Sequence, residues 1–529
     1  MLYSVPLCLG ASVPLTAQCP DGSPPPCRTA AARTTRAAAA VPPLSIAVLP
    51  FESRSPDPAD AYLAEGMTEE IANQLTRVGR LQVKARGLVA AQWRRTPEAF
   101  DAARRLSVAW FVHGNVRHVA GQLLVNVELV RATTGEEAWA ARFPRRATDV
   151  FAVQAEVAES VAVQVGGRLS PGERAVIARR PTRNNEAYRL YLYGNSFMGR
   201  RTAADLREAV AAYERAVALD PRFAAAWARI SVARGIQESW AWEREIGGDS
   251  LVAMGRRAAQ RAVALDSLSA EAWLATAMAE HVGGRLWQAQ AAYARAIRLD
   301  SLFAEAYHAY GGLYGVECAA ACLHDERISA PLLRQALALD PALRNTWRHL
   351  ALLSRDAGRL AEAEAMLDTA LSFGPWTPGF QDRAVVRALR GDADGALADL
   401  DAQLAVNGDS NHIRRAQAHL LRGDSAPALE LRARMRPAAD SNRGVAFGLA
   451  ALETALGLRE AALATLERLR ASPMRVTPEC APGEPCSTAL DVWVAIQSPV
   501  FAPLRGEPRF QRLLAETRPR VPWLEGGRP

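Results

Sequence analysis

AYHAYGGLYG, residues 306–315, places Tyr307, Tyr310, Gly311 and Tyr314 three, one and three residues apart. That spacing keeps rings and glycine on one side of a helix. Tyr307 stands seven residues after the dipeptide Leu299-Asp300, and the same phase recurs: Trp227, Trp273 and Trp347 stand seven residues after Asp220, Asp266 and Asp340. Four residues before those markers, and before Gly374 in Phe373-Gly374, stand Ala216, Ala262, Ala296, Ala336 and Ala370. A large ring and a small residue at fixed phase are what two packed antiparallel helices need: the ring fills the gap between units, and the alanine lets the helices approach.

The five markers are separated by 46, 34, 40 and 34 residues. Thirty-four residues is the tetratricopeptide period, and the longer intervals read as one repeat plus insertions. Tyr307, Tyr310, Gly311 and Tyr314 match the aromatic, apolar, glycine and tyrosine positions of that repeat, so this part of the chain resembles a tetratricopeptide (TPR) array. An all-α solenoid over residues 184–474 is expected, with a first unit near Tyr188, five clear repeats and two or three weaker ones. Beyond it, residues 475–529 read as a loop followed by a capping segment that offers Phe501, Leu504, Phe510 and Leu513 to the last repeat.

Residues 45–169 read as an α/β domain. SIAVLPF (45–51) is a buried-strand run, a helix pattern covers about 61–78, LQVKA is a short strand and PEAFDAARRL a helix. Two longer strands follow, the second alternating Leu123, Val125, Val127 and Leu129 on one face, and a helix over about 149–169 closes the unit. Within it AVLPF, YLAEGMTEEI, WFVHGNVR, ATTGEEAWAARF and TDVFAVQAEVAESV occur in an order that resembles the TolB amino-terminal and FlgO type of domain. Such domains precede tetratricopeptide repeats in bacterial class III adenylate cyclases, CadC-like regulators and receptor kinases. The resemblance implies a non-catalytic interaction or sensory domain.

Composition bounds the rest. The net charge of +7 is mild for 529 residues, Lys84 is the single lysine, and the arginines alternate with acids, so no nucleic-acid partner is expected. Arg94-Arg95, Arg104-Arg105 and Arg145-Arg146 read as solvated charge, and His113 and His118 as polar residues on a solvated face. Residues 1–17, MLYSVPLCLGASVPLTA, form an uncharged apolar run ending in a small residue before Gln18. They resemble a signal peptide without its basic start, which predicts export to the periplasm or cell envelope; the alternative is membrane association through an uncleaved segment. Removing them discards Cys8 and leaves Cys19 with Cys27, Cys318 with Cys322, and Cys480 with Cys486. Residues 18–44 are then a cysteine-bracketed loop and linker. Proximity in sequence is the basis for expecting three local disulfides; unpaired thiols, and a metal site at Cys318, Cys322 and His324 with His308, are the alternatives.

No motif for chemistry is present: no G-x-x-x-x-G-K-[ST], H-E-x-x-H, G-x-S-x-G or C-x-x-C. Neither an enzyme nor a cofactor site is expected. A repeat array offers a groove lined by its first helices, and the phase of the aromatic anchor selects Glu271, Leu274, Met278, Glu305, His308, Asn345, Arg348, Leu352 and Arg355 as groove residues for a protein or peptide partner. Arg348 and Arg355, two turns apart, are expected to be solvent-facing, so that reversing both charges would leave folding intact. The function expected is an adaptor of the cell envelope; the alternative is the sensory half of a signalling or transcription-regulator system whose output domain is elsewhere.

Overall fold

The structure, a computed structural model, describes residues 41–146, 149–198, 203–239, 248–315, 325–407, 412–440, 443–471 and 499–517. All seven cysteines, His324 and residues 1–17 lie outside these, and with them the three disulfide pairings, the metal alternative and the signal-like segment. No helix among the described residues is long and apolar enough to cross a membrane.

The amino-terminal part contains a six-stranded mixed sheet. Its elements are β1 (Ser45–Val48), β2 (Glu52–Ser53), α1 (Ala61–Thr76), β3 (Gln82–Val83), α2 (Arg86–Arg95), α3 (Ala99–Arg105), β4 (Trp110–Val119), β5 (Gln122–Arg131), β6 (Glu137–Arg146), α4 (Val150–Gly166) and α5 (Pro171–Ile177). The strand order is β3-β1-β4-β5-β6, with β2 also paired to β4. β1 runs parallel to β3 and β4, while β4, β5 and β6 are antiparallel. All four β1 residues are buried, so this strand needs cover on both faces. Its Ile46 and Val48 join α1 and α4 in one cluster; its Ala47 joins Val89 of α2 and Ala103 of α3 in another. The alternating Leu123, Val125, Val127 and Leu129 of β5 all face the α1–α4 side.

Two elements here were not legible as such. RGLVAAQWRR is α2, and EAWAARFPRR is the edge strand β6, whose alanines and arginines carry no strand-like alternation of branched residues. That edge is blunted against further pairing by a register shift at Leu129 and Val130, by Pro144 and by exposed Arg142 and Arg146.

Eight helix pairs follow among the described residues: α6 (Asn185–Met198) with α7 (Ala203–Leu219), α8 (Ala224–Ser239) with α9 (Gly248–Leu265), α10 (Ala270–Val282) with α11 (Leu286–Leu299), α12 (Ala304–Leu313) with α13 (Glu326–Leu339), α14 (Arg344–Asp356) with α15 (Leu360–Ser372), α16 (Thr377–Leu389) with α17 (Ala393–Asn407), α18 (His412–Leu421) with α19 (Ala426–Ala439), and α20 (Arg443–Ala455) with α21 (Arg459–Ala471). This is a tetratricopeptide-type solenoid. Ala216, Ala262, Ala296, Ala336 and Ala370 are all fully buried, as close helix approach demands.

The marker aspartates have a local task. Each turns its Oδ1 back to accept the N–H two residues on: Asp220 from Arg222 at 2.9 Å, Asp266 from Leu268 at 3.1 Å, Asp300 from Leu302 at 2.9 Å and Asp340 from Ala342 at 3.0 Å. That aspartate turn ends one repeat and begins the next. The tryptophans act on the same turns. Trp227, Trp273 and Trp347 donate Nε1–H to the carbonyls of Pro221, Ser267 and Pro341 at 3.1, 2.9 and 2.8 Å, and all three are half-buried. They latch turns as well as packing against neighbouring helices, which departs from the expectation of simple gap-filling rings.

A short 3-10 turn (Pro499–Leu504) and α22 (Pro508–Thr517) lie over the last pair, where Phe501, Leu504, Phe510 and Leu513 pack with Leu449, Leu463 and Leu466. At the other end, one continuous cluster runs from Ile46, Met67 and Val157 through Tyr188, Tyr191 and Tyr213 to Phe223, Ile230 and Ala258. The sheet domain and the first two repeats therefore share a hydrophobic core.

Candidate functional site

The first helices of successive pairs touch one another, as α8 with α10 and α10 with α12 do; the second helices splay outward by contrast, so the first helices line the inner face. Glu271 lies in the first turn of α10, whose start is capped by Ser269 accepting from the Ala272 N–H at 3.2 Å. Glu305 lies in the first turn of α12. It keeps access to solvent, yet surrounding protein raises its carboxyl pKa, with its own backbone N–H and Arg86 opposing. Met278 is half-buried against the α10–α12 core.

His308 of α12 is fixed by α14: Nδ1 lies 2.9 Å from Thr346 Oγ1, Nε2 lies 3.3 Å from Asn345 Nδ2, and the ring sits 5.0 Å from that of His349. His349 was missed by the sequence reading because it lies one residue off the phase used there. Burial, helped by His308, Arg348 and His281, holds its imidazole well below the usual histidine range. Among the described residues no cluster of three or more His, Cys, Asp or Glu is arranged to hold a metal ion.

Four groove candidates need correction. Leu274 and Leu352, 8% and 1% exposed, are packed into helix interfaces, because the aromatic phase that selected them points part of each turn at the neighbouring helix. Arg348 is paired with Asp382 of α16, which is buried, and Arg355 with Asp356 at 2.7 Å. Neither arginine is a free surface charge, so reversing both would damage the fold.

The larger surprise is how the sheet domain is seated. Gly66 of α1 lies against Leu192 of α6, where a Cβ would sit 3.1 Å from Cδ2. Gln154 of α4 donates to the Gly66 carbonyl at 3.3 Å and accepts from Tyr188 OH at 2.7 Å. From there contacts follow the row of repeat turns. Thr182 donates to Asp220 Oδ2, Arg179 to Asp266 Oδ2 at 2.7 Å, and Gly87 abuts the next turn but one, where a Cβ would sit 2.9 Å from Asp340 Oδ2 and 3.1 Å from Ala342 Cβ. Arg94 donates to Phe373 O at 3.0 Å and Arg95 to Ser372 O. The Arg94-Arg95 pair, expected as solvated charge, is thus part of an interface.

At its centre the Arg229 guanidinium of α8 acts electrostatically on the buried Tyr191 hydroxyl, with Glu271 and Glu69 acting on Arg229 in turn. Arg86 pairs with Glu69 at 2.5 Å. Glu70 accepts from Gln74 at 3.3 Å. Burial pushes the Glu70 carboxyl up to about 7; Arg77 and the Gln74 hydrogen bond oppose this, while Glu271 and Glu69 add to it.

No family model matches the chain. A stretch of 188 residues, 36% of this chain, is 35% identical to a Rhizobium meliloti (strain 1021) protein named putative adenylate cyclase 3, and it spans 32% of that protein's length. The chain thus covers about a third of this curated relative. Among solved structures it is similar to PilW, a widely conserved type IV pilus biogenesis factor, at 19% identity and a TM-score of 0.33 over 41% of this chain and 96% of that one. It is also similar to YrrB, described as a TPR protein with an unusual peptide-binding site, at 16% identity and a TM-score of 0.26 over 39% and 96%.

Proposed function

We propose that this chain is a non-enzymatic adaptor that binds a protein or peptide partner along the inner helices of its repeats, and that it works in the cell envelope. The observation that carries the reading is the inner face of α10, α12 and α14, where Met278 is half-buried and His308 is held by Asn345 and Thr346 of the next repeat, beyond Glu271 and Glu305, which lie within electrostatic reach of the sheet domain. Repeats of this kind present an extended surface to a partner. The apolar start of the sequence supports export. The motifs of the sheet domain, resembling TolB amino-terminal and FlgO-type domains, support an interaction or sensory role for that part. A photo-crosslinking residue placed at Met278 or Asn345 should trap one defined partner in cells, and one at exposed Arg222 should not. Cells fractionated in parallel should hold the chain outside the cytoplasm. Equal labelling from all three positions, or a cytoplasmic chain, sinks the respective half of the proposal.

A second reading is favoured by the relative named as an adenylate cyclase: the chain is the sensory part of a signalling system. Cyclic AMP should then differ between cells carrying and lacking it, and equal levels would exclude this.

A further inference from the structure

The turn aspartates form a row of rungs at repeat spacing, each using Oδ1 for its own turn. Two of them use Oδ2 to hold the connection between α5 and α6: Arg179 on Asp266 and Thr182 on Asp220. Arg179 and Thr182, three residues apart, thus reach two successive rungs. The connection begins beside Asp266 because α5 ends just before it, at Ile177. The next rung but one, Asp340, is closed by Gly87.

Between them Asp300 is exposed. Among the described residues the one group that meets its side chain is the Leu302 N–H of its own turn. Leu302 of its own turn and Leu268, which stands at the same position in the Asp266 turn, are 59% and 67% exposed, the most exposed large apolar side chains among the described residues. An open carboxylate with an open leucine in its own turn, next to a rung that already holds an arginine, is complementary to one kind of occupant. We propose that the Asp300 turn, with Leu268 and Leu302, is a docking site for an extended, arginine-bearing segment of a partner protein. This rests on the protein-binding reading above and adds to it a place and a chemistry away from the inner helices.

The test uses the full chain and a fluorescein-labelled peptide copying residues 177–184, IARRPTRN, followed by fluorescence anisotropy. Asp300→Asn keeps the Oδ1 acceptor, and hence the turn, while removing the charge, so its melting should match the parent. Saturable binding is expected, weakened about tenfold or more by Asp300→Asn, weakened by Leu268→Ser or Leu302→Ser, weakened by salt, and lost when the peptide's arginines become glutamine. Absence of peptide binding overturns the proposal. So does binding that ignores Asp300→Asn, or that is lost instead in Asp266→Asn, which would mean displacement of the chain's own connection. A partner crosslinked at Met278 or Asn345 equally well by the parent and by Asp300→Asn, in a chain whose peptide binding ignores that change, would leave the adaptor reading standing while removing this one.

Discussion

Trp273 and Arg348 show how far a side chain's role depends on what it touches. The indole of Trp273 is half-buried and holds Ser267 O, so Trp273→Phe should cost about 1 kcal/mol for the lost hydrogen bond, and Trp273→Ala more. Denaturant titration would read both; a loss above about 4 kcal/mol for Trp273→Phe would mean the ring matters through burial instead. Arg348 is different in kind. Arg348→Ala strands the buried carboxylate of Asp382, a loss on the order of 3–5 kcal/mol, whereas Arg348→Met with Asp382→Leu, which removes both charges, should recover most of it. If the single and double variants melt alike, that pairing contributes little.

Helices carry the pH behaviour. Glu70 of α1 faces Glu69 of its own helix and Arg77 just past its end, Tyr188 of α6 and Glu271 of α10, with Arg229 of α8 nearby through Glu271 and Glu69. Its carboxyl is raised from 4.5 to about 7 in the fold, so the folded state holds the proton longer than the unfolded chain. Stability from this group is therefore fully present below about pH 4.5 and lost as pH rises through 7, up to about 3 kcal/mol in all. Glu70→Gln should remove that slope and stabilise the protein at pH 8, the more so because a new amide could donate to Gln74 Oε1, which has no partner. An unchanged melting temperature at pH 8 would refute this. His349 of α14 slopes the other way. Its imidazole is held well below the usual histidine range, so its share of stability is lost as pH falls below about 6.5, and His349→Gln should flatten the acid side of the curve. Much at this scale was legible in the sequence. The 34-residue phase located the repeat helices because ring, alanine and aspartate each answer to a local need, whether helix contact or turn. Helix α2 and strand β6 were not legible, since their stability comes from the sheet and repeats they lie against, and RGLVAAQWRR or EAWAARFPRR carries no such information alone. Four of the nine groove residues failed for a related reason: a phase gives the direction of a side chain but not what stands opposite it.

At the level of the whole molecule, the core shared from Ile46 to Ala258 predicts that the sheet domain melts with the first two repeats, while later repeats, each stabilised chiefly by its neighbours, open more readily. Hydrogen exchange should show the sheet domain and helices α6 to α9 protected as one unit, and Phe510→Ala, by thinning the cover on α20 and α21, should raise exchange in the last repeats and leave that unit untouched. Loss of protection in the sheet domain on Phe510→Ala would mean a single cooperative block. The seating of the sheet domain along the turns also constrains ancestry. Its connection and its helix α2 grip the turns at Asp220, Asp266, Asp340 and Phe373 at once, so duplicating or deleting a repeat within that span would carry some grips out of reach of others. Copy number there is locked by an outside gauge, and lineages that retain these grips should vary in length only beyond α16, where nothing but the cap must move.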